Sequence, residues 1–244
     1  MTSAIITARM GSSRLPGKIM LTLAGAPLLQ RMVERVKRST LLDDVIVATS
    51  SELSDDIVED MCHSIGCSCF RGSEDDVLDR VLSAAIHFNV EDVVHLTGDC
   101  PFIDPALIDE TIRYYRDMGL DYAGNNLNAT FPIGMDVRMF SLKALKDVAS
   151  RTQDPIDRAH VTYYIYNHPE LYSIGGNDAP AGFPTDLRLT VDEFLDFKLA
   201  TLVFEHFSDN VSAFTAEDIF QYLAQHPEYA YINQNVRQKA AEEC

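Results

Sequence analysis

An α/β fold, with helices on both faces of a parallel sheet, is what this 244-residue sequence predicts. Three observations carry that expectation. Strand-like and helix-like segments alternate through the first half of the chain. The strand-like runs are short and rich in β-branched residues, as strands buried on both faces are. Turns bearing glycine follow directly on the ends of such runs.

Ser3–Ala8 reads as the first strand and ends at a turn that carries Gly11 and Gly17. Pro27–Arg38 follows as a helix, with Leu28, Leu29, Met32, Val33 and Val36 along one face and Pro27 suited to the first helical turn. Asp44–Thr49 is the second strand. Ser54 can cap a helix through Ile65, with Ile57, Val58, Met61 and Ile65 at helical spacing. Ser68–Arg71 is a brief strand and Asp75–Phe88 the next helix. Asp92–Thr97 is a strand followed at once by Gly98-Asp99, and Asp104-Pro105 opens a helix that runs to Met118.

The second half is less regular. Tyr122–Asn128 and Met135–Phe140 read as strands or edges around a turn at Pro132-Ile133-Gly134. Pro155–Asn167 reads as a helix, Leu171–Ile174 and Asp186–Thr190 as short strands, and Glu193–Phe207 and Ala216–Ala224 as helices. No linker rich in Gly, Ser or Pro and no internal repeat divides the chain. Residues 1–233 therefore read as one domain, and the polar stretch 234–244 as a tail expected to fray. Ligands of open α/β sheets bind beyond the carboxyl ends of the strands. That rule brings the Arg9–Lys18 loop, the segment after Arg71 and the Gly98-Asp99 turn to one rim.

Composition narrows the partners. Hydrophobic residues at 46% and charged residues at 23% are ordinary values that allow a sizeable core. A formal net charge of −17 argues against nucleic acid and anionic membrane, both of which need basic surface. No apolar run approaches the roughly 18 residues of a membrane span, and the first residues lack a signal-peptide pattern, so a cytoplasmic protein is expected. Cys62, Cys67, Cys69, Cys100 and Cys244 are odd in number and fit no disulfide framework. Cys62, His63, Cys67 and Cys69 lack the paired spacing of a zinc site, and the three cysteines read as ordinary buried thiols. Cys100 and His95 read as packed core residues.

The most informative segment is Ala8-Arg9-Met10-Gly11-Ser12-Ser13-Arg14-Leu15-Pro16-Gly17-Lys18. Its small residues let the backbone turn sharply and bring N–H groups close to a bound anion. Arg9, Arg14 and Lys18 concentrate positive charge locally on an acidic protein, which suits one compact anion such as a nucleotide triphosphate. Neither the P-loop pattern nor the dinucleotide fingerprint is present, since Lys18 is followed by Ile19. A basic surface turn is the competing reading from the residues alone. Asp99 either turns into the cleft as a hard oxygen ligand for Mg²⁺ or forms the turn before Pro101. Asp192 is either a second metal carboxylate or the N-cap of the helix that begins near Glu193.

That segment, with Phe70-Arg71-Gly72-Ser73-Glu74-Asp75-Asp76-Val77-Leu78-Asp79-Arg80, Leu96-Thr97-Gly98-Asp99-Cys100-Pro101 and Thr190-Val191-Asp192, resembles the cytidylyltransferases that activate acidic sugars. CMP-sialate and CMP-Kdo synthetases belong to that family, and the likeness is strongest to its spore-coat polysaccharide branch. The resemblance implies a single Rossmann-like domain of the nucleotide-diphosphosugar transferase type (GT-A-like), with a mixed sheet. Residues 122–185 would form an acceptor or dimerisation region, and the protein would be a homodimer. It implies Mg²⁺-dependent transfer of CMP from CTP to an acidic sugar, or to a related phosphate or phosphonate acceptor. Pyrophosphate would leave, and the product would serve surface polysaccharide synthesis.

Carried over position by position, the resemblance assigns nucleotide binding to Ala8, Arg9, Met10, Gly11, Ser12, Arg14, Lys18 and Asp99. Arg71, Gly72, Ser73 and Arg80 join them on the side of the base. Arg14, Lys18 and Asp99 would be catalytic, and Asp99 and Asp192 would hold the metal. Arg9 packs at the loop base in the alternative reading, and Arg80 pairs with Asp79. The acceptor would meet Asn125, Asp136, Arg138, Arg158, His160 and Arg188. Arg138 stands where relatives carry an acid, which favours an anionic acceptor. Two rivals share the same residues: a nucleotide-sugar-dependent glycosyltransferase, and a catalytically silent nucleotide-binding subunit. The basic loop favours a triphosphate donor over a sugar diphosphate, and Asp99, Lys18 and Asp192 argue against silence.

Overall fold

The computed structural model describes residues 1–180 and 182–241. Strand β1 (Thr2–Thr7) is buried along almost its whole length. After the basic loop, a minimal hairpin of β2 (Thr22–Leu23) and β3 (Ala26–Pro27) leads into α1 (Leu28–Val36). Pro27 keeps an extended backbone and precedes the helix rather than opening its first turn. The apolar face of α1 is the one its spacing predicts, with Leu28, Leu29, Met32, Val33 and Val36 all buried.

Strand and helix then alternate as β4 (Asp44–Ser50), α2 (Asp56–Ser64), β5 (Ser68–Gly72) and α3 (Val77–His87). β6 (Asp92–Thr97) and α4 (Pro105–Met118) complete this half. Asp104 caps α4 by accepting from the Ala106 N–H at 2.8 Å. Ser54 does not cap α2. Leu53–Asp55 make a single 3₁₀ turn, the helix starts at Asp56, and Ile57 stays 47% exposed.

The second half contributes β7 (Tyr122–Gly124), β8 (Arg138–Ser141), α5 (Leu142–Arg151), α6 (Pro155–His160), α7 (Tyr163–Asn167) and β9 (Ile174–Gly175). It ends with α8 (Phe194–His206), α9 (Ala216–Gln225) and α10 (Pro227–Ala230). Several expected elements are shorter or broken, for identifiable reasons. β7 stops at Gly124 because the Asn125 side chain takes over the cross-links: its amide donates to the Met135 carbonyl at 2.8 Å and accepts from the Val137 N–H at 2.7 Å. The helix expected over Pro155–Asn167 is two helices, because Val161 adopts φ 58° between them. Asp186–Thr190 is not a strand and forms an isolated bridge, between Arg188 and Ile133, outside the sheet.

Among the described residues the main sheet has the order β5-β4-β1-β6-β8-β7-β9. The first four strands are parallel, as alternation predicts, and β8 runs antiparallel to both β6 and β7. The sheet is therefore mixed. Successive residues of β1 feed opposite cores: Ala4 and Ile6 pack in a cluster with residues of α1, α4, α8 and α9, while Ile5 packs with residues of α3 and α5. Cys62 and Cys67 lie in the first cluster, with the Cys67 thiol 3.3 Å from the Val45 carbonyl. Among the described residues no helix is long and apolar enough to cross a membrane.

Arg35 of α1 is fully buried and donates to three carbonyls, Ile103 at 3.1 Å, Phe214 at 2.8 Å and Phe102 at 3.4 Å. Its guanidinium also lies 4.1 Å from the Phe214 ring centre. This one side chain ties the segment after β6, which carries Asp99, to the start of α9. Arg35→Met should lower the unfolding free energy by about 3 kcal/mol or more, because buried acceptors lose their donors. Urea melts at neutral pH read this directly, and a loss under about 1 kcal/mol would mean that the three carbonyls find other donors.

Candidate active site

The loop after β1 is shaped by a few fixed points. The Met10 carbonyl accepts from the N–H groups of Ser12 at 2.8 Å and Gly17 at 3.1 Å, which closes the turn on itself. Gly17 has φ 69°, a backbone state that favours glycine. The Met10 N–H donates at 2.7 Å to Asp55, a buried carboxylate that also accepts from Thr49 Oγ1, Ser50 N and Ser50 Oγ at the end of β4. Asp55 thus pins the loop to the sheet. Sequence reasoning misses it, because the stretch reads as a helix with Ser54 at its start; an acid a few residues past a strand end is the available signal.

Gly98 lets the ends of β1 and β6 close up, since a Cβ there would meet the Ala8 Cβ at 2.8 Å. Asp99 follows, and its carbonyl accepts from the Val191 N–H at 2.8 Å, which draws the Thr190-Val191-Asp192 segment alongside. The Lys18 ammonium lies between the two carboxylates, 2.8 Å from Asp99 Oδ2 and 2.8 Å from Asp192 Oδ1. Arg14 reaches the same Asp192 oxygen at 2.9 Å, and Arg188 takes the other at 2.7 Å. Arg188 also pairs with Asp196 at 3.0 Å. Asp192 is not the helix N-cap. Glu193 is, and Asp196 accepts from the N–H groups of both Asp192 and Glu193.

Burial disfavours charge on both Lys18 and Asp99, yet their mutual attraction wins. The Lys18 pKa stands above its ordinary value because Asp99 and Asp192 outweigh desolvation. That of Asp99 stands below its own, as Lys18, Thr97 and Cys100 outweigh desolvation in turn. The Cys100 thiol, 3.4 Å from Asp99 Oδ1, is pushed up by burial and by that carboxylate.

Arg14, Lys18, Asp99 and Asp192 line a cavity of about 300 Å³ with Thr7, Ala8, Arg9, Gly11, Ser12 and Ser13. Arg9 bridges the loop to the Glu74 carbonyl at 3.2 Å and carboxylate at 3.4 Å. Arg80 neither pairs with Asp79 nor enters the cavity. It is buried, its pKa drawn down to about 10 by desolvation, and it braces the carbonyls of Ser73 and Glu74. The Ser73 hydroxyl accepts from the Asp76 N–H at 3.0 Å, and a Cβ at Gly72 would press on the Arg80 side chain at 3.1 Å. Arg71 is drawn away from the cleft altogether, to Asp56, Glu59 and the Ser50 and Glu52 carbonyls.

A second cavity, of about 130 Å³, shares Thr7 and Thr97 with the first and is lined by His95, Arg138, His160, Thr162 and Tyr166. Arg138 pairs with Asp136 at 3.2 Å. The remaining residues expected to meet an acceptor lie elsewhere. The Asn125 amide is used on backbone, Arg158 is held by Asp76, and Arg188 faces Asp192 and Asp196. The sequence predicts His95 to be a satisfied core residue, but only half of it is. Nε2 lies 3.2 Å from Thr7 Oγ1, and Nδ1 has no partner among the described residues.

A glycine-bent basic loop at the carboxyl edge of a Rossmann-like mixed sheet, facing two carboxylates, defines a nucleotidyltransferase. The profile of the cytidylyltransferase family matches residues 3–235, and the chain belongs to that family. It is 37% identical over 233 residues to the spore coat polysaccharide biosynthesis protein SpsF of Bacillus subtilis, covering 93% of this chain and 95% of that one. A cytidylyltransferase structure from Leptospira borgpetersenii superposes with a TM-score of 0.89 at 31% identity, over 98% of this chain and 99% of that one. The structure of a CMP:2-keto-3-deoxy-manno-octonic acid synthetase complexed with CTP shares the fold, with a TM-score of 0.63 at 17% identity, over 84% and 99% of the two chains.

Two measurements check this arrangement. Asp55→Ala should free the loop and cost about 2 kcal/mol of stability, and hydrogen exchange at the Met10 amide should speed up. Burial holds the His95 pKa at about 3, against 6.5 for a free ring. Between those values the unfolded chain binds the extra proton, so folding is fully favoured above about pH 6.5 and loses up to about 1.4 kcal/mol per pH unit below it. Urea melts of wild type and His95→Gln between pH 7 and 4.5 should show the steeper loss in wild type. Equal slopes would mean that the ring protonates inside the folded protein.

Proposed function

We propose that this cytidylyltransferase transfers CMP from CTP to an acidic sugar or a related phosphate or phosphonate, releasing pyrophosphate, and that the CMP-linked product serves surface polysaccharide synthesis. The observation that supports it most is the Lys18 ammonium held between Asp99 and Asp192 in the glycine-loop cavity. Lys18 and Arg14 are positioned to turn from those carboxylates to the β- and γ-phosphates, and loop amides would meet the remaining oxygens. The acceptor oxygen would attack the α-phosphorus in line with the departing pyrophosphate, whose growing charge Lys18 and Arg14 stabilise.

Asp99 and Asp192 already converge on one cation, and their hard oxygens suit Mg²⁺. Two carboxylates are fewer ligands than Mg²⁺ takes, so phosphate oxygens and water would complete its shell. When bound there, the ion would neutralise charge on the phosphates. The second cavity suits the acceptor, since Arg138 on its wall can meet an anionic group. A phosphate or phosphonate oxygen would attack without a general base.

Asp99→Asn should fold and bind CTP, yet release pyrophosphate at least about a hundredfold more slowly. Near-normal turnover by that variant would remove Asp99 from its role. A pyrophosphate-release screen of CTP against sugar acids, phosphates and phosphonates identifies the acceptor. Turnover requiring a sugar nucleotide donor would support glycosyl transfer instead, and CTP binding without turnover on any acceptor a silent subunit. We read the active species as a cytoplasmic homodimer, which sedimentation at micromolar concentration tests.

A further inference from the structure

Between residues 233 and 241, the chain that follows α10 is tied to the body of the protein. Asn233 is 1% exposed, and its amide donates to the Arg188 carbonyl at 3.0 Å and to Asp196 Oδ1 at 2.7 Å. From that anchor the chain crosses the mouth of the nucleotide cleft. Arg14 donates to the Arg237 carbonyl at 3.3 Å, Arg188 to Gln238 Oε1 at 2.6 Å, and the His160 ring lies 3.0 Å from the Ala241 carbonyl. The contacts run from the phosphate-loop side to the second cavity, so the segment straps both.

Lys239 sits in the middle of this crossing and lines the 300 Å³ cavity beside Arg14, Lys18, Asp99 and Asp192. The other basic residues of that cavity are already paired: Arg9 with Glu74, Arg14 and Lys18 with Asp192. Lys239 has no ion pair or hydrogen bond among the described residues. The strap also leaves the cavity open, forming one wall rather than filling it. An unspent cation on the wall of a cavity built for a polyanion is placed to bind that polyanion.

We infer that residues 234–241 are a strap that closes on the bound nucleotide, and that Lys239 is a phosphate-binding residue delivered by it. The inference rests on a triphosphate occupying the cleft, as proposed above. Lys239 shares the cavity wall with Arg14 and Lys18, the residues assigned to the β- and γ-phosphates, so on this inference it meets those phosphates and adds nothing to CMP. The hydrogen bond of Arg14 to the Arg237 carbonyl couples the strap to the loop: when Arg14 turns to a phosphate, the strap moves inward with it.

The experiment is calorimetric binding of CTP, CMP and inorganic pyrophosphate to wild type, Lys239→Ala, Lys239→Arg and a truncation after Val236. A charge-assisted contact corresponds to about tenfold or more, so Lys239→Ala and the truncation should weaken CTP and pyrophosphate by that factor and leave CMP unchanged. Lys239→Arg should restore most of the loss. In wild type, CTP should also protect the bonds after Arg237 and Lys239 from trypsin. Unchanged CTP and pyrophosphate affinity in Lys239→Ala overturns the inference and leaves the nucleotide reading standing. Tighter binding after truncation also overturns it, because the segment would then be a plug. If wild type binds pyrophosphate but not CTP, the nucleotide reading fails and the strap is judged on pyrophosphate alone. If it binds neither, both fall.

Discussion

One buried ammonium holds this site in shape. Lys18 sits 2.8 Å from each of two carboxylates that are distant in sequence, Asp99 after β6 and Asp192 before α8. Two like charges facing each other in a poorly solvated cleft would repel, and one would take up a proton. The cation between them offsets that repulsion, and the Asp99 pKa falls rather than rises. Removing one partner from such a buried arrangement typically costs about 3–5 kcal/mol, so the loop, β6 and the segment before α8 are locked together through that contact.

The rest of the fold serves to bring those three segments to one point. The parallel half of the sheet puts the carboxyl ends of β1, β4, β5 and β6 on a common rim. Gly98 allows close approach, Asp55 fixes the loop from below, and Arg35 fixes the segment beyond Asp99 from behind. Arg188 then neutralises the far oxygen of Asp192 and ties it to Asp196 at the start of α8. Asp55, Arg35 and Arg188 are buried polar groups with partners, the condition under which such groups rigidify a site.

Where the sequence is legible, the signal is local. Hydrophobic spacing marks α1 and α4 almost to the residue, and β-branched runs mark β4 and β6, because period and burial are written in neighbouring residues. The Arg14–Lys18 loop, Asp99 and Asp192 are legible as a group from spaced motifs. The expectations that fail depend on partners distant in sequence. Arg71 reads as a nucleotide contact, but the carboxylates of α2 claim it. Arg80 and Asn125 carry the polar groups of a binding residue and spend them on backbone carbonyls and amides. The polar composition of 234–241 says tail, and only the fold shows that Asn233 buries its amide and aims the next eight residues across the cleft.

A chain with a net charge of −17 that binds a nucleotide must solve an electrostatic problem, and this cleft solves it by exchange. Arg14 and Lys18 are neutralised in advance by Asp192 and Asp99, so they are held in place without exposing bare charge. To meet phosphate they must give up those carboxylates, which leaves Asp99 without its cation and Asp192 with Arg188 alone. A triphosphate alone would worsen that imbalance, whereas one arriving with a divalent cation would correct it. On the proposed reading, the same pairing that organises the site would therefore disfavour a metal-free nucleotide and make nucleotide and metal binding interdependent. Lys239 stands outside this exchange, because it has no carboxylate to give up among the described residues.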